Sequence, residues 1–300
     1  MSKVRYRGRF APSPTGPLHF GSLVSALASY LDAKASQGEW LVRIEDIDPP
    51  REQAGAAKLI LKALEYYGLH WDQPIIYQSS RHTIYQDYIE YLRKQQQAYP
   101  CTCSRKELSI FHGQYPGTCR NQRTLPASPF AIRLKTESTP VNFIDKIQGA
   151  QSFNLEEEGG DFIIKRKDGL FAYQLAVVID DTLQGITHIL RGSDLLDSTP
   201  RQYYLQSVLG FSHPSYAHIP VIVASDGKKL SKQNLATPLP LEHPQPVLIR
   251  ALHALNQSPP PELIGAKVSE IIAWATRHWD SRIIPQSMTI PETLLPTTAP

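Results

Sequence analysis

The feature that most constrains this chain is a short strand pattern that runs through a proline- and glycine-bearing turn into a long helical pattern. Residues 6–10 read as a strand and Pro17-Leu18-His19-Phe20-Gly21 as the turn. Leu23, Val24, Leu27 and Leu31 then recur at helical spacing through residues 22–35. In such a unit the glycine lets backbone amides approach an anion where the helix dipole is positive. Further along, Lys228 and the run Lys229-Leu230-Ser231-Lys232-Gln233 add mobile ammonium charge. Either segment alone occurs by chance in many chains, as a capped helix start or a solvated basic turn. Their combination and order suit the phosphates of ATP.

The remaining pattern extends this unit. Residues 40–44 read as a buried strand and residues 53–67 as an amphipathic helix preceded by Pro49-Pro50. Two apolar runs, residues 176–179 and 219–223, read as later strands. They flank a helix after Thr199-Pro200 that carries Tyr203, Tyr204, Val208 and Leu209. Between the halves the pattern breaks into a helix over residues 83–97, a cysteine-bearing stretch and short strands such as residues 130–135, which reads as an insertion. Alternating β and α segments predict an α/β fold, a parallel sheet wrapped by helices with its ligand at the carboxyl ends of the strands. No G-x-G-x-x-G follows the first strand, so a nicotinamide enzyme of similar architecture has no support. Beyond the lysine loop, prolines separate helical stretches at residues 247–256 and 268–277. The closing residues, with Pro291, Pro296 and Pro300, read as a poorly structured tail. The expected division is residues 1–77 and 170–234 as two halves of a catalytic domain, 78–169 as the insertion, and 235–300 as a small helical appendage with its tail.

At 300 residues, 41% hydrophobic and 20% charged, the chain can bury a sizeable core in one large or two modest domains, and its composition argues against a chain disordered as a whole. A net charge of +3 permits a nucleic-acid partner without demanding one. The N-terminus lacks a secretory signal and no stretch reaches membrane-spanning length, so the expected location is the cytoplasm. Three cysteines do not make a disulfide framework; reduced thiols or metal ligation fit better.

Arg9-Phe10-Ala11-Pro12-Ser13-Pro14-Thr15-Gly16, read with the turn at His19 and the lysine loop, resembles the H-I-G-H and K-M-S-K-S signatures of class I aminoacyl-tRNA synthetases in the spelling of the glutamyl group. The resemblance covers about residues 6–240. It implies a Rossmann-type sheet that binds ATP with magnesium and L-glutamate. His19 and Gly21 would hold the phosphate and adenine region, Lys229 and Ser231 would contribute to the ATP site, and Lys232 would close over the phosphates during catalysis. Adenylating a carboxylate needs positioned positive charge at a crowded phosphorus and no covalent nucleophile, so the lack of a nucleophile motif is no objection. The same resemblance directs Arg9 and Arg191 at the substrate carboxylates, where a guanidinium can bind bidentately, and Glu45 at the amine. Ala11, Ser13 and Tyr173 would complete the glutamate pocket.

Two positions depart from the family pattern: Ser22 stands where the first signature ends in histidine, and Val177 where longer glutamyl enzymes carry asparagine. The second substitution is expected to loosen the amino-acid site. Asp180-Asp181 reads as a turn after the third strand or as a direct substrate contact.

Cys101-Thr102-Cys103 and Cys119 suggest structural zinc, which wants four ligands. His112 is the conventional fourth candidate on chemistry. Resemblance to the glutamyl-Q branch of the family instead points to Tyr115, the expectation carried forward here; three unrelated thiols are the alternative to any metal.

The stretch after the lysine loop is too short for the helical anticodon-reading domain of the usual glutamyl enzymes. Its absence is similar to the shortened glutamyl-Q branch, which implies transfer of activated glutamate to queuosine at the wobble position of tRNA(Asp) by a monomer. Lys165, Arg166 and Lys167 would then contact phosphates, or else form a charged turn before Asp168-Gly169. Two competing readings are a minimal glutamyl-tRNA synthetase that charges the 3′ end of tRNA(Glu), and a catalytically silent tRNA-binding module. Mapping where labelled glutamate is attached to tRNA separates the first; glutamate-dependent pyrophosphate exchange separates the second.

Overall fold

The computed structural model describes residues 5–224 and 237–296. Its first unit is β1 (Arg7–Phe10), α1 (Phe20–Ala35) and β2 (Glu39–Ile44). His19 caps α1 by accepting the Ser22 N–H on Nδ1, and the alanines at 26, 28 and 33 let the helix lie close against the sheet with its apolar residues fully buried. Every residue of β2 is buried, as a central parallel strand requires. That includes the charged Arg43. Next come α2 (Ala56–Tyr66) and the short β3 (Ile76–Tyr77).

The insertion begins with α3 (His82–Lys94). It continues through β4 (Ala98–Cys101), α4 (Arg105–Leu108), β5 (Ala131–Leu134), the antiparallel pair β6 (Val141–Asp145) and β7 (Gly149–Phe153), and β8 (Phe162–Lys165). β4, β5 and β8 form an antiparallel sheet.

The chain returns to the parallel sheet through α5 (Tyr173–Leu183), β9 (His188–Gly192), α6 (Thr199–Leu209) and β10 (Ser215–Ile219). Here the structure corrects the sequence reading. Residues 176–179 are the interior of helix α5, not a strand. They are buried on every side, and an apolar run of that length has no periodicity to tell strand from helix. The strand of the second half is β9, and the run at 219–223 breaks at Pro220 into β10 and β11 (Val221–Val223).

β1, β2 and β3 pair in parallel, as do β9 and β10. The two pieces meet where Thr187 N–H donates to Arg7 O at 2.9 Å and Arg7 N–H donates to Thr187 Oγ1 at 2.8 Å. The strand order is therefore β3-β2-β1-β9-β10, a doubly wound sheet whose order reverses between β1 and β9. In such sheets the crevice outside the carboxyl ends at that reversal is where ligands sit.

After α7 (Pro244–Ala254) and α8 (Val268–His278), the closing segment is not a loose tail. β12 (Thr289–Pro291) pairs in parallel with β11, Arg250 Nη2 lies 3.0 Å from Glu292 Oε1, and Leu295 is buried in the main core. Pro291 is tolerated because it ends its strand. No helix among the described residues is long and apolar enough to cross a membrane.

Candidate active site

A cavity of about 590 Å³ opens at the reversal between β1 and β9. Among the residues singled out from sequence, Arg9, Ala11, Ser13, His19, Gly21, Tyr173 and Arg191 all line it. Lys229, Ser231 and Lys232 lie outside the described residues. The chain on either side of that segment is tied to the cavity: Val221 and Ile222 form part of its wall, and Leu239 N–H donates to Leu18 O at 2.9 Å beside His19.

His19 packs at the mouth of α1 with its Nε2 3.0 Å from Ser22 Oγ. The serine that departs from the family signature thus holds the preceding histidine. Opposite, the loop after β9 folds tightly: a Cβ at Gly192 would lie 2.5 Å from Asp194 Oδ1 and 3.0 Å from Val221 Cγ1. Only glycine leaves room for both.

Arg191 is 5% exposed and has only neutral partners among the described residues. Its Nη1 donates to Tyr173 Oη at 3.3 Å, its Nη2 to Thr199 Oγ1 and Gln202 Oε1 at 2.9 and 2.8 Å, and its Nε to His218 Nε2 at 2.9 Å. A buried guanidinium without a carboxylate partner favours an anion in the cavity it faces.

Arg9 is arranged differently. Its Nε and Nη2 donate to the two carboxylate oxygens of Asp181 at 3.2 and 3.1 Å, and no hydrogen bond engages Nη1 among the described residues. Asp181 also accepts from Arg43 Nη1 at 2.7 Å. Burial raises the cost of charge on Asp181, but Arg9 and Arg43 outweigh it and hold its carboxyl below the ordinary range. Glu45 sits one layer behind the lining, 3.2 Å from Arg43 Nη2. Its burial prevails over Arg43 and Arg9, and its carboxyl is pushed up. An ammonium brought beside Glu45 would favour its ionised form and oppose that upward shift. Asp180 does not reach the cavity: it takes Arg81 Nε, Gln78 Nε2 and Tyr85 Oη at 2.6, 2.8 and 2.7 Å, binding the insertion to α5. Val177 lies in the buried core around α5 rather than in the cavity wall.

Sequence reasoning passed over Arg43, Thr199, Gln202, His218 and Asp145. Thr199 and Gln202 share the start of α6, so they follow once Arg191 is placed; Arg43 is an arginine inside an otherwise apolar run, and His218 and Asp145 carry no local signal.

In the insertion, Cys101, Cys103 and Cys119 bring their sulfurs within 4.8 Å of one another. Tyr115 Oη lies 3.4 Å from Cys101 Sγ and accepts the Cys119 N–H at 2.9 Å. A tetrahedral ion with metal–sulfur bonds of ~2.3 Å and a metal–oxygen bond of ~2.0 Å sets ligand atoms roughly 3.5–3.8 Å apart. The Cys101–Tyr115 contact and the 3.5 Å between Cys103 Sγ and Cys119 Sγ match that spacing, and the three sulfurs could hold an ion. Burial first, then the neighbouring thiols, push Cys103 up to about 11. For Cys119 burial is outweighed by the Thr102 N–H and by Cys103, and the thiol is pulled down. His112 brings no ligand atom into this group. Lys165, Arg166 and Lys167 bind within the chain, to Gln86, Asp168 and the Thr102 carbonyl respectively.

Residues 4–242 match the family described as tRNA synthetases class I (E and Q), catalytic domain. The chain is 54% identical over 290 residues to the glutamyl-Q tRNA(Asp) synthetase of Pseudomonas fluorescens, covering 97% of each. It is 54% identical over 287 residues to that of Pseudomonas aeruginosa, covering 96% of this chain and 98% of the relative. Among solved structures, glutamate-tRNA synthetase from Elizabethkingia anophelis is similar with a TM-score of 0.77 at 27% identity, covering 94% of this chain and 67% of that one. A glutamate tRNA ligase from Elizabethkingia meningosepticum in complex with its amino acid gives 0.78 at 27%, covering 94% and 66%.

Proposed function

The chain belongs to the class I tRNA synthetases of the E and Q type, and from that premise we propose that it activates glutamate with ATP, without tRNA, and transfers it to queuosine at the wobble position of tRNA(Asp). The observation that carries the amino-acid half is Arg191, a buried cation lining the cavity with only neutral partners among the described residues. The acceptor rests on full-length similarity to glutamyl-Q tRNA(Asp) synthetases.

In this reading the glutamate side-chain carboxylate binds Arg191 beside the Tyr173 hydroxyl, and Arg9 Nη1 adds a second donor. Glu45 balances the ammonium through the cavity wall. Ala11 and Ser13 border the same pocket. The α-carboxylate oxygen attacks the α-phosphorus of ATP, the bond to the bridging oxygen breaks, and pyrophosphate leaves. His19 and the amides around Gly21 at the start of α1 face the nucleotide, where the helix end favours negative charge. Lys229, Ser231 and Lys232 complete the phosphate site in sequence terms. Magnesium entering with ATP supplies further charge for the departing pyrophosphate. In the second step the queuosine hydroxyl attacks the activated carbonyl and AMP leaves.

Residues 1–77 and 170–234 serve as the catalytic halves, 78–169 as the insertion and 235–300 as the appendage. Cys101, Cys103, Tyr115 and Cys119 would hold a zinc ion that stabilises the insertion.

Transfer of labelled glutamate, with ATP and magnesium, to tRNA from matched cells with and without queuosine tests the reading. Label confined to the anticodon fragment of queuosine-containing tRNA(Asp) is the expected result. Label at the 3′ end in both preparations would overturn it in favour of a minimal glutamyl-tRNA synthetase.

A further inference from the structure

A buried polar chain runs from the insertion to the cavity. Asp145, the last residue of β6, accepts three backbone N–H groups on Oδ1, from Ile147, Gln148 and His218 at 3.0, 2.9 and 3.1 Å. Its other oxygen lies 2.6 Å from His218 Nδ1, and His218 Nε2 lies 2.9 Å from Arg191 Nε. Asp145 and His218 are almost without exposure.

The protons in this chain are fixed by elimination. Arg191 Nε–H can only donate, so His218 Nε2 accepts, the ring carries its hydrogen on Nδ1, and Nδ1–H donates to Asp145. Neither residue lines the cavity. Their reach to it is through the orientation of one guanidinium.

We propose that Asp145 and His218 are positioning residues for the amino-acid site: Asp145 locks His218 in the tautomer that accepts from Arg191, and so aims Arg191 at the substrate carboxylate. The proposal rests on the reading of Arg191 as a glutamate-binding residue. It assigns the β6–β7 hairpin of the insertion a part in amino-acid recognition, separate from any contact with tRNA. Arg191 has other acceptors in Thr199 and Gln202, but both take Nη2. Only His218 holds Nε, the atom that sets the rotation of the guanidinium plane.

The test is glutamate-dependent pyrophosphate exchange by the full chain. Asp145→Asn is isosteric and keeps an oxygen for the backbone N–H groups, but its amide donates toward Nδ1 and inverts the tautomer, setting two donors against each other at Arg191. The expected result is a rise in KM for glutamate of roughly tenfold or more, with KM for ATP and kcat changed little. A matched pair guards against a variant that fails to fold. His218→Gln can place an amide oxygen near the Nε2 position and is expected to keep KM within a few fold of the parent. His218→Asn can retain the bond to Asp145 but cannot reach Arg191, and its KM is expected to rise with that of Asp145→Asn. Equal KM values for the Gln and Asn variants, or equal losses in kcat and in both KM values, would overturn the proposal. Arg191→Ala separates the two levels. If it raises KM for glutamate while Asp145→Asn and His218→Asn do not, the relay is wrong and the site stands. If Arg191→Ala leaves that KM unchanged, the glutamate reading of the cavity fails and the relay with it.

Discussion

Arg9 and Asp181 face each other across the seam of the molecule, their paired contacts of 3.2 and 3.1 Å joining the first strand of the sheet to helix α5. Both side chains are 4% exposed. The pair does two things at once. It ties the two halves of the catalytic sheet together across the insertion, and it reduces the effective positive charge Arg9 offers the cavity. Arg191, with neutral partners, thereby becomes the stronger anion receptor of the two.

Asp181→Asn should show the structural half of this arrangement. Removing one member of a buried pair leaves Arg9 and Arg43 short of counter-charge and costs about 3–5 kcal/mol. Urea titration should report the loss. Because Asp181 has its carboxyl held below the ordinary value of 3.8, its contribution is present above that pH and is lost as pH falls through the lower folded value. The variant should therefore lose acid sensitivity along with stability; an unchanged midpoint at neutral pH would show that the pair contributes nothing.

The glycine turn, the helix behind it and the apolar residues of the second strand were legible because strong local patterns and a turn signal agreed there. Residues 176–179 misled because burial on all sides erases the helical period. Pro291 misled because a proline at a strand end looks, in sequence, like one in a tail. The network behind the cavity left no local trace: Arg9 and Asp181 are 172 positions apart, and Asp145 and His218 are 73 apart. A lone arginine in the middle of a buried strand, Arg43, was the one available hint that a carboxylate must arrive from elsewhere.

Glu45 predicts a pH dependence of substrate binding. Burial first pushes its carboxyl above the usual 4.5, despite Arg43 and Arg9. In the proposed reading the ionised form meets the substrate ammonium, so KM for glutamate should climb as pH falls toward that raised value. For stability the sign is opposite to that of Asp181: Glu45 favours the folded state at low pH and less so as pH rises through its folded pKa. Glu45→Gln should raise KM and flatten its pH profile. A profile identical to the parent's would remove Glu45 from the site.

Gly192→Ala isolates the loop after β9 in the cavity wall. The backbone angles at this residue, φ −65° and ψ 145°, suit any amino acid, so the effect would come from space alone. A methyl group 2.5 Å from Asp194 Oδ1 must displace that carboxylate or the loop after β9. The expected cost is about 1–3 kcal/mol of stability, with kcat/KM for ATP-dependent exchange falling by roughly tenfold or more if the cavity wall shifts by an ångström. Parent-like values in both measurements would mean the loop yields freely.

Tyr115 is the decisive residue for the metal reading, because the three thiols alone leave a tetrahedral ion one ligand short. Tyr115→Phe keeps the ring beneath the Arg133 guanidinium, 3.7 Å from its centroid, and deletes only the oxygen. Metal analysis of the purified chain should find zinc in the parent at about one ion per chain and a fall in Tyr115→Phe under mild chelation. His112→Ala should retain the parent's content, since that side chain offers nothing to the cluster. Complete chelation should lower the melting temperature of the parent. Glutamate-dependent exchange should survive at temperatures where the insertion remains folded, because the sulfur cluster packs with Tyr99 and Leu108, apart from the residues that line the cavity. Equal zinc retention by Tyr115→Phe and the parent, with loss in His112→Ala, would reassign the fourth ligand.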